Sequence, residues 1–405
     1  MFQFIRKNPA FVRLASINLF SKTGDRLFYT AMLTVASTLP EANLAIMIVS
    51  ASETLPILFS FLLGSLADKK TNKLKGLIKT SFFRMILYLF IAWMVSYSAT
   101  LPLVLSMAVL NFISDVLGNY SSALVTPFKK MIVHAEDMEK AQGIISVTTQ
   151  LINVIATFAG SILLSFFFIE TVAYVNAGIF FIVAISYVMI RPKLQTTEKN
   201  IPMDKQQKLV PVIKDNFKKL FQHREILNDL CQLSLLNGLF GGLTPIFVMF
   251  IQTEEVGTLF TSPFLISLLS GVITISMIIG NSISSNFLQN VTTTTLNRVA
   301  NLFIALIGVG FLLKQLAFIL ISASFITLLL GIVSPRFTAK VINYYPTERL
   351  GGIITTVNSC LTLTPPLTSL LFPMFVNISL NFAYFCFIIY ALLLLSTNFF
   401  ILRGY

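Results

Sequence analysis

The sequence predicts an all-α polytopic membrane protein with twelve transmembrane helices in two six-helix bundles. Two composition values and one charge pattern predict this fold. The mean hydropathy of the 405 residues is +0.82, and only 11% of them are charged, whereas about a quarter of the residues of a soluble domain are charged. Such a chain has too little polar surface for water, so the bilayer is its natural solvent.

Twelve mostly apolar stretches have the length of roughly 20 residues with which a helix crosses the hydrocarbon core. They are residues 11–38, 43–66, 80–97, 102–124, 143–168, 172–190, 226–251, 263–286, 297–313, 316–335, 351–376 and 381–402. The longest polar stretch separates six of them from the other six. We therefore predict an N-terminal six-helix bundle at 1–190, a cytoplasmic linker at 191–225 and a C-terminal six-helix bundle at 226–405.

The basic residues follow these spans. With both termini in the cytoplasm, 26 of the 29 Lys and Arg residues, Arg84 among them, fall on the cytoplasmic side. This asymmetry is the one that the positive-inside rule requires. It predicts a multi-pass protein of the plasma membrane and explains the net charge of +12 without a nucleic-acid partner.

The sequence speaks against catalysis and against bound metal. It contains no HExxH and no GxSG, and both histidines, His134 and His223, fall in predicted loops. Cys231, Cys360 and Cys386 have no disulfide or zinc spacing. We therefore expect a protein that is not an enzyme and holds no metal or cofactor.

The linker contains an amphipathic segment. Its apolar positions are Leu209, Ile213, Phe217, Leu220 and Phe221, opposite Lys214, Lys218 and Lys219. Two interpretations are open. The segment is either a solvated linker with a helical turn or a basic amphipathic helix on the anionic inner leaflet.

The loop LLGSLADKKTNKLKG, after the second span, resembles the signature of the major facilitator superfamily, G-x-x-x-D-[RK]-x-x-[RK]-[RK]. Gly64, Asp68, Lys69 and Lys73 match it, and Asn72 stands where a base is usual. Two further segments resemble the macrolide-efflux and siderophore-exporter branch of that family. They are SKTGDRLFYTA in the first span and the acids Glu136, Asp137 and Glu139 followed by Ala141 and Gly143.

The resemblance implies a latch between the two halves. A carboxylate at Asp68 is suited to accept hydrogen bonds from the free N–H groups at the start of a helix. The implied partner is the eleventh span, which begins at the small residues Gly351 and Gly352. Lys69 and Lys73 are expected to bind lipid phosphates or nearby carboxylates, although the loop also fits a simple positive-inside anchor. The corresponding C-terminal loop, SSNFLQNVTTTTLNR, has no acid, so we predict this latch on one side only.

Five charged side chains fall at mid-depth in the predicted membrane. They are Lys22, Asp25 and Arg26 on one face of the first span, Glu53 in the second and Asp115 in the fourth. Because a charge at the bilayer centre costs about 3 kcal/mol, such residues usually face a cavity and one another. Many proton-driven relatives carry an arginine in the fourth span, which this sequence lacks.

Two interpretations of these charges are open. They are either structural ion pairs, for example Arg26 with Asp115 and Lys22 with Glu53, or a proton-coupling site. Three acids and two bases leave one carboxylate unbalanced, and such a group can load and release a proton near neutral pH. The C-terminal half offers only polar candidates for a cavity lining: Asn237, Asn358 and Thr362.

The predicted function is secondary active transport by alternating access. The resemblance favours a proton-coupled exporter of a small amphiphilic compound, a drug or a metabolite. A flippase for lipids or lipid-linked molecules and a nutrient importer of the same fold are the alternatives. We expect a monomer that contacts anionic membrane lipids and uses a proton gradient.

Overall fold

The computed structural model describes residues 2–95, 100–202, 208–253, 261–285 and 288–402. Parts of the predicted third span (96–97), eighth span (286) and linker (203–207) lie outside these ranges. Within them the chain is helical, with no strand. The helices are α1 (Phe2–Lys7), α2 (Pro9–Ser37), α3 (Ala42–Leu58), α4 (Ser60–Asp68), α5 (Lys73–Met94), α6 (Leu101–Ile132), α7 (Met138–Phe166), α8 (Ile169–Lys199), α9 (Leu209–Gln222), α10 (Arg224–Thr253), α11 (Ser262–Ile283), α12 (Thr293–Leu312), α13 (Leu316–Tyr344), α14 (Leu350–Val376) and α15 (Leu380–Leu402).

Ten of the described helices are long and apolar enough to cross a membrane, and α3 with α4 makes an eleventh if the pair is one span. The helix α2 has 29 residues, a sufficient length, but Lys22, Asp25 and Arg26 interrupt its apolar sequence. A multi-pass helical membrane protein is therefore confirmed. The total of twelve spans stays a prediction, because it depends on α2 and on α3 with α4 being one span.

The second predicted span is broken. The helices α3 and α4 meet at an angle of 42° next to Phe59. Pro56 lies in the last turn of α3 and has no N–H for the preceding turn, which is the usual cause of a sharp bend. The bend sets the direction of α4 and therefore the position of Asp68 at its end.

The third span begins earlier than predicted. The helix α5 starts at Lys73, and its first turn is capped where the backbone N–H of Leu74 donates to Glu198 Oε1 at 2.8 Å. An acid at a helix N-terminus is favourable because the free N–H groups there carry partial positive charge. The early start places Arg84 near the middle of the helix.

The chain divides into two compact units. Unit 1 contains Met1–Met138, Thr148–Phe217 and Ile342–Ser359, and unit 2 contains Glu139–Val147, Lys218–Val341 and Cys360–Tyr405. In unit 1 the rings of Phe28, Tyr88 and Phe180 pack together from α2, α5 and α8, with centroids 4.9 and 5.3 Å apart. In unit 2 the rings of Phe311 and Tyr384 stack at 5.0 Å. The predicted domain bounds remain a prediction.

Small residues allow close helix packing in unit 2. A Cβ on Gly280 of α11 would collide with the carbonyl oxygen of Leu328 and lie 3.1 Å from the Cα of Gly331, both in α13. Helix contacts in membranes depend on such residues because lipid supplies no hydrophobic driving force.

We expect Gly280→Ala to destabilise the protein by about 1–3 kcal/mol, because the added methyl group overpacks the α11–α13 contact. Melting in detergent, followed by intrinsic fluorescence, measures the change. Gly271→Ala in the same helix is the control, since a Cβ there meets nothing within 4 Å. Equal melting temperatures for the two variants would contradict this account of the contact.

Candidate functional site

Unit 1 contains a polar cavity of about 250 Å³. The helices α2, α3, α5, α6, α7 and α8 contribute to its lining. All five charged residues singled out from the sequence line it: Lys22, Asp25, Arg26, Glu53 and Asp115. The structure therefore brings together side chains from three predicted spans, and it adds others that the sequence did not indicate.

The most buried charge in the cavity wall is Arg84 of α5. Its side chain is 2% exposed, and its Nη2 is ion-paired with Asp25 and lies 4.0 Å from Asp115 Oδ1. Its Nε donates to Ser114 Oγ at 2.8 Å and its Nη1 to Ser21 Oγ at 3.1 Å. Each nitrogen of the guanidinium thus has an oxygen partner, as a buried arginine requires.

Two neutral residues fix the plane of Arg84. The guanidinium carbon lies 4.0 Å from the centroid of the Phe180 ring, a cation–π contact. On another side, a Cβ on Gly118 would lie 3.1 Å from Nη1. The absence of a side chain at this position of α6 therefore makes room for the arginine.

Asp115 is held mainly by a neutral hydrogen-bond chain. Its Oδ2 accepts from Asn111 Nδ2 at 2.9 Å, and Asn111 Oδ1 accepts from the hydroxyl of Tyr88 at 2.9 Å. The side chain is 13% exposed. Asp115 therefore shares the cation of Arg84 with Asp25 and has no cation of its own.

A second ion pair in the cavity wall is more exposed than Arg84. Arg26 Nη1 is 3.3 Å from Glu53 Oε1, and both side chains are 34% exposed. Arg26 also donates from Nε to Thr157 Oγ1 at 3.3 Å and lies 5.0 Å from the centroid of the Tyr29 ring. Because water reaches this pair, its ionic bond is weaker than that of Arg84.

The ion pairs suggested from the sequence, Arg26 with Asp115 and Lys22 with Glu53, are wrong. Arg84 supplies the missing cation, so three bases face three acids and no carboxylate is in excess. Of the three bases lining the cavity, Lys22 is the one without an ion pair or hydrogen bond to a described residue.

The assignment of Arg84 to the cytoplasmic surface is also wrong. The predicted start of the third span at residue 80 puts Arg84 within four residues of the cytoplasmic end. The helix begins at Lys73 instead. The sequence did contain a signal for a buried Arg84, since it is the single base in the apolar run SFFRMILYLF. Because a charge in the membrane is costly, such an arginine indicates a buried partner.

A helix-terminus contact lies elsewhere in unit 1. Asp68, at the end of α4, is 5% exposed. Its Oδ1 accepts from the backbone N–H of Gly351 at 2.9 Å and its Oδ2 from the N–H of Gly352 at 2.7 Å. These N–H groups belong to the first turn of α14 and have no partner within the helix. The Asp68 carboxylate thus accepts hydrogen bonds from two otherwise unpaired backbone donors, and it lies at the positive end of the helix dipole.

Glycines make this contact possible. A Cβ on Gly351 or Gly352 would press against the Asp68 carboxylate. A Cβ on Gly64, one turn before Asp68, would collide with the carbonyl oxygen of Gly351 and with Thr355 Oγ1. The helices α4 and α14 touch along their backbones here, so the two predicted partners and Gly64 act together.

The sequence suggested lipid phosphates or carboxylates as partners of Lys73, but the structure shows backbone carbonyls. Lys73 is 2% exposed, and its Nζ donates to the carbonyl oxygens of Ala67 at 2.6 Å and Asp68 at 3.3 Å. A cation is favourable there because the last carbonyls of α4 carry partial negative charge. Lys69 is the residue that directly follows α4.

The linker helix α9 packs on protein at this contact. Its Asp215 is ion-paired with Arg349, and its Asn216 donates from Nδ2 to Ser65 Oγ at 3.3 Å. Asn216 is fully buried, and so is the face formed with Val212. Neither interpretation of the linker anticipated this, because both assigned its apolar stripe to solvent or lipid.

A different contact occupies unit 2. Arg336 Nε lies 3.0 Å from Glu139 Oε1 near the start of α7, and its Nη2 donates to the carbonyl oxygen of Ser284 at 2.7 Å. Its Nη1 donates to the carbonyl oxygens of Leu288 at 3.1 Å and Val291 at 3.3 Å. This contact is not an acid at a helix N-terminus, so the prediction of the Asp68 latch on one side only stays a prediction. The loop after α11 lacks an acid, but a base from α13 binds its carbonyls.

The three polar candidates from the C-terminal half do not line the cavity of unit 1. Asn237 and Thr362 belong to unit 2, and Asn358, in the unit 1 part of α14, is exposed. Asp229, in unit 2, is buried and pairs with Lys340 at 3.2 Å.

The sequence profile of the Major Facilitator Superfamily matches residues 14–369. The chain belongs to the major facilitator superfamily. Membership indicates a transporter rather than an enzyme. Comparison with curated protein sequences gave no significant match.

Solved structures of other superfamily transporters share the fold. A bacterial homologue of the iron transporter ferroportin in the outward-facing state is 12% identical, with a TM-score of 0.70 over 97% of this chain and 99% of the other. The human organic anion transporter MFSD10 (TETRAN) is 14% identical, with a TM-score of 0.67 over 96% and 99%. The fucose:proton symporter FucP of E. coli is 12% identical, with a TM-score of 0.67 over 96% and 97%. At these identities the likeness concerns the fold alone.

We expect Asp68→Asn to weaken the α4–α14 contact of this superfamily member. An amide presents one acceptor oxygen, so one glycine N–H loses a charged partner worth about 1.5–3 kcal/mol. The probe is Ser65→Cys, at a position buried in the parent, in a chain whose three native cysteines are replaced. With Asp68→Asn added, this probe should react with a maleimide at least about tenfold faster than without it.

Glu136→Gln is the matched control, because it removes an exposed acid outside the α4–α14 contact. It should leave the labelling rate unchanged. If Asp68→Asn labels no faster than this control, the contact does not close access to α4.

Proposed function

We propose that the chain is a proton-coupled exporter of a small amphiphilic compound in the plasma membrane, with both termini in the cytoplasm. One observation carries the proposal. A single buried guanidinium, that of Arg84, serves two carboxylates that line the same cavity, bonded to Asp25 and 4.0 Å from Asp115.

The proton step follows from charge balance. While Arg84 is bonded to Asp25, we assign the proton to Asp115, since a mostly buried acid that only shares a more distant cation is costly to ionise. When the proton leaves Asp115 Oδ for cavity water, the new negative charge competes for Arg84. Asp25 then loses its partner and becomes the acceptor for the next proton. The two acids titrate as a coupled set around one cation.

The cavity also suits an amphiphile with an ionisable end. Lys22 is available to an acidic group, and the water-exposed pair of Arg26 and Glu53 can open for a charged group of either sign. The volume of the polar cavity, about 250 Å³, is smaller than the roughly 300–1,000 Å³ of sites for drug-sized ligands. We therefore assign to unit 1 only the polar end of the substrate.

The Asp68 contact supplies the conformational part of the proposal. Its two N–H bonds join the first and second halves of the sequence inside unit 1, and the ion pair of Asp215 with Arg349 joins the linker to the second half. Alternating access requires that such a contact exist in one state and break in another. Substrate and proton binding in the cavity would shift the populations of these states.

The export direction comes from the resemblance of SKTGDRLFYTA and of the acids before Gly143 to the macrolide-efflux and siderophore-exporter branch. The structural neighbours do not select a direction. A nutrient importer or a lipid flippase would carry the same fold, and transport in everted vesicles separates these cases.

We expect everted vesicles containing the parent to accumulate ethidium or a macrolide only when their interior is acidic. Asp115→Asn should abolish the response to the gradient, because a neutral amide fixes Arg84 on Asp25. Asp25→Asn should do the same by fixing Arg84 on Asp115, and Glu53→Gln should reduce uptake through the loss of its pair with Arg26. Substrate-dependent proton release by solubilised protein is the second readout.

Glu41→Gln is the control, because it removes an exposed acid outside the cavity. Its uptake and proton release should equal those of the parent. If the three cavity variants also release protons like the parent, the carboxylates are structural ion pairs and the coupling proposal fails. Gradient-dependent loss of the probes in place of accumulation would favour import.

A further inference from the structure

Unit 1 contains a second cavity, a groove of about 420 Å³ between α2 and α8. This groove is separate from the polar cavity that contains Arg84. It is open at the surface, since the Met189 side chain on its wall is 73% exposed. The groove lies near the start of α2 and near the end of α8, where the two helices run side by side. The start of α2 and the end of α8 are both predicted to face the cytoplasm.

The lining changes in character along the groove. At its outer end lie two bases, Arg13 from the second turn of α2 and Lys193 near the end of α8. Ser16 lies about one turn further along α2, and Ile17 and Met189 form apolar wall. A groove with a cationic mouth and an apolar interior matches a molecule with an anionic head and a hydrocarbon chain.

The two bases have no counter-ion in the described part of the chain. Neither Arg13 nor Lys193 makes an ion pair or a side-chain hydrogen bond with a described residue, and both are exposed. The acid nearest in sequence to Lys193, Glu198, instead accepts from the backbone N–H of Leu74. Two positive charges therefore remain available at the mouth of the groove.

We propose that this groove binds an anionic phospholipid of the inner leaflet. The phosphate would lie between Arg13 and Lys193, and one acyl chain would follow Ile17 and Met189 toward the bilayer centre. Ser16 and Ser186 also line the groove and supply hydroxyl donors for the ester groups of the lipid. A free phosphate would use the two bases but leave the apolar wall uncovered, so the groove selects the lipid.

A lipid in this groove would stabilise one wall of the polar cavity that contains Arg84. Asn18 and Tyr187 line the polar cavity, and their chain neighbours Ile17 and Ser186 line the groove. The same stretches of α2 and α8 therefore face the polar cavity and the groove. Bound lipid stabilises the folded protein by mass action.

Native mass spectrometry of the full chain in detergent, titrated with phosphatidylglycerol or phosphatidylcholine, tests the proposal. We expect the first phosphatidylglycerol to bind more tightly than phosphatidylcholine. The double variant Arg13→Gln, Lys193→Gln should weaken it about 30-fold, because each base at the membrane surface contributes about 1 kcal/mol. Arg13→Lys, which keeps the charge, should retain most of the affinity.

The matched control is Lys75→Gln, Lys79→Gln, which removes two exposed charges from the start of α5. This variant should bind the first phosphatidylglycerol like the parent, and the lipid should raise its melting temperature equally. Inorganic phosphate alone should give no stabilisation. Equal loss of affinity in both double variants, no preference over phosphatidylcholine, or stabilisation by phosphate alone would overturn the proposal.

Discussion

The buried guanidinium of Arg84 must find oxygen acceptors inside unit 1, because it lies mid-helix where water is scarce. This requirement organises the neighbouring helices. Asp25 of α2 and Ser114 of α6 face it, Phe180 of α8 covers it, and Gly118 leaves it space. Removing one partner of such a buried pair typically costs about 3–5 kcal/mol. The polar cavity therefore exists because charges in a membrane protein must be kept together.

The same constraint separates the tasks of the two polar regions. In the cavity Asp25 and Asp115 both lie beside the guanidinium of Arg84, and the proposed proton coupling depends on their competition for this one cation. The α4–α14 contact has a single buried acid whose two oxygens are each saturated by a backbone N–H. The cavity, where two carboxylates share one guanidinium, is suited to proton coupling. The α4–α14 contact, where each Asp68 oxygen has its own N–H donor, is suited to holding one conformation.

Much of this could be predicted from the sequence. Hydropathy gave the helices, and the cost of membrane charges indicated that Lys22, Asp25, Arg26, Glu53 and Asp115 meet. The signature loop identified Asp68 and its glycine partners. Pairing could not be predicted, because it depends on side-chain reach across helices. Arg84 was missed because the start of α5 was placed seven residues late. The packing of α9 was missed because its buried face includes a polar residue, Asn216.

A double-mutant cycle on Arg84 and Asp25 tests the central claim most directly. The free energy of unfolding in detergent would be measured for Arg84→Leu, for Asp25→Leu and for both together. Each single change leaves the other charge without its closest partner, so the double variant should lose less stability than the two singles summed, by at least about 1 kcal/mol. Additive losses would show that the two charges are independent, and the account of the cavity would be wrong.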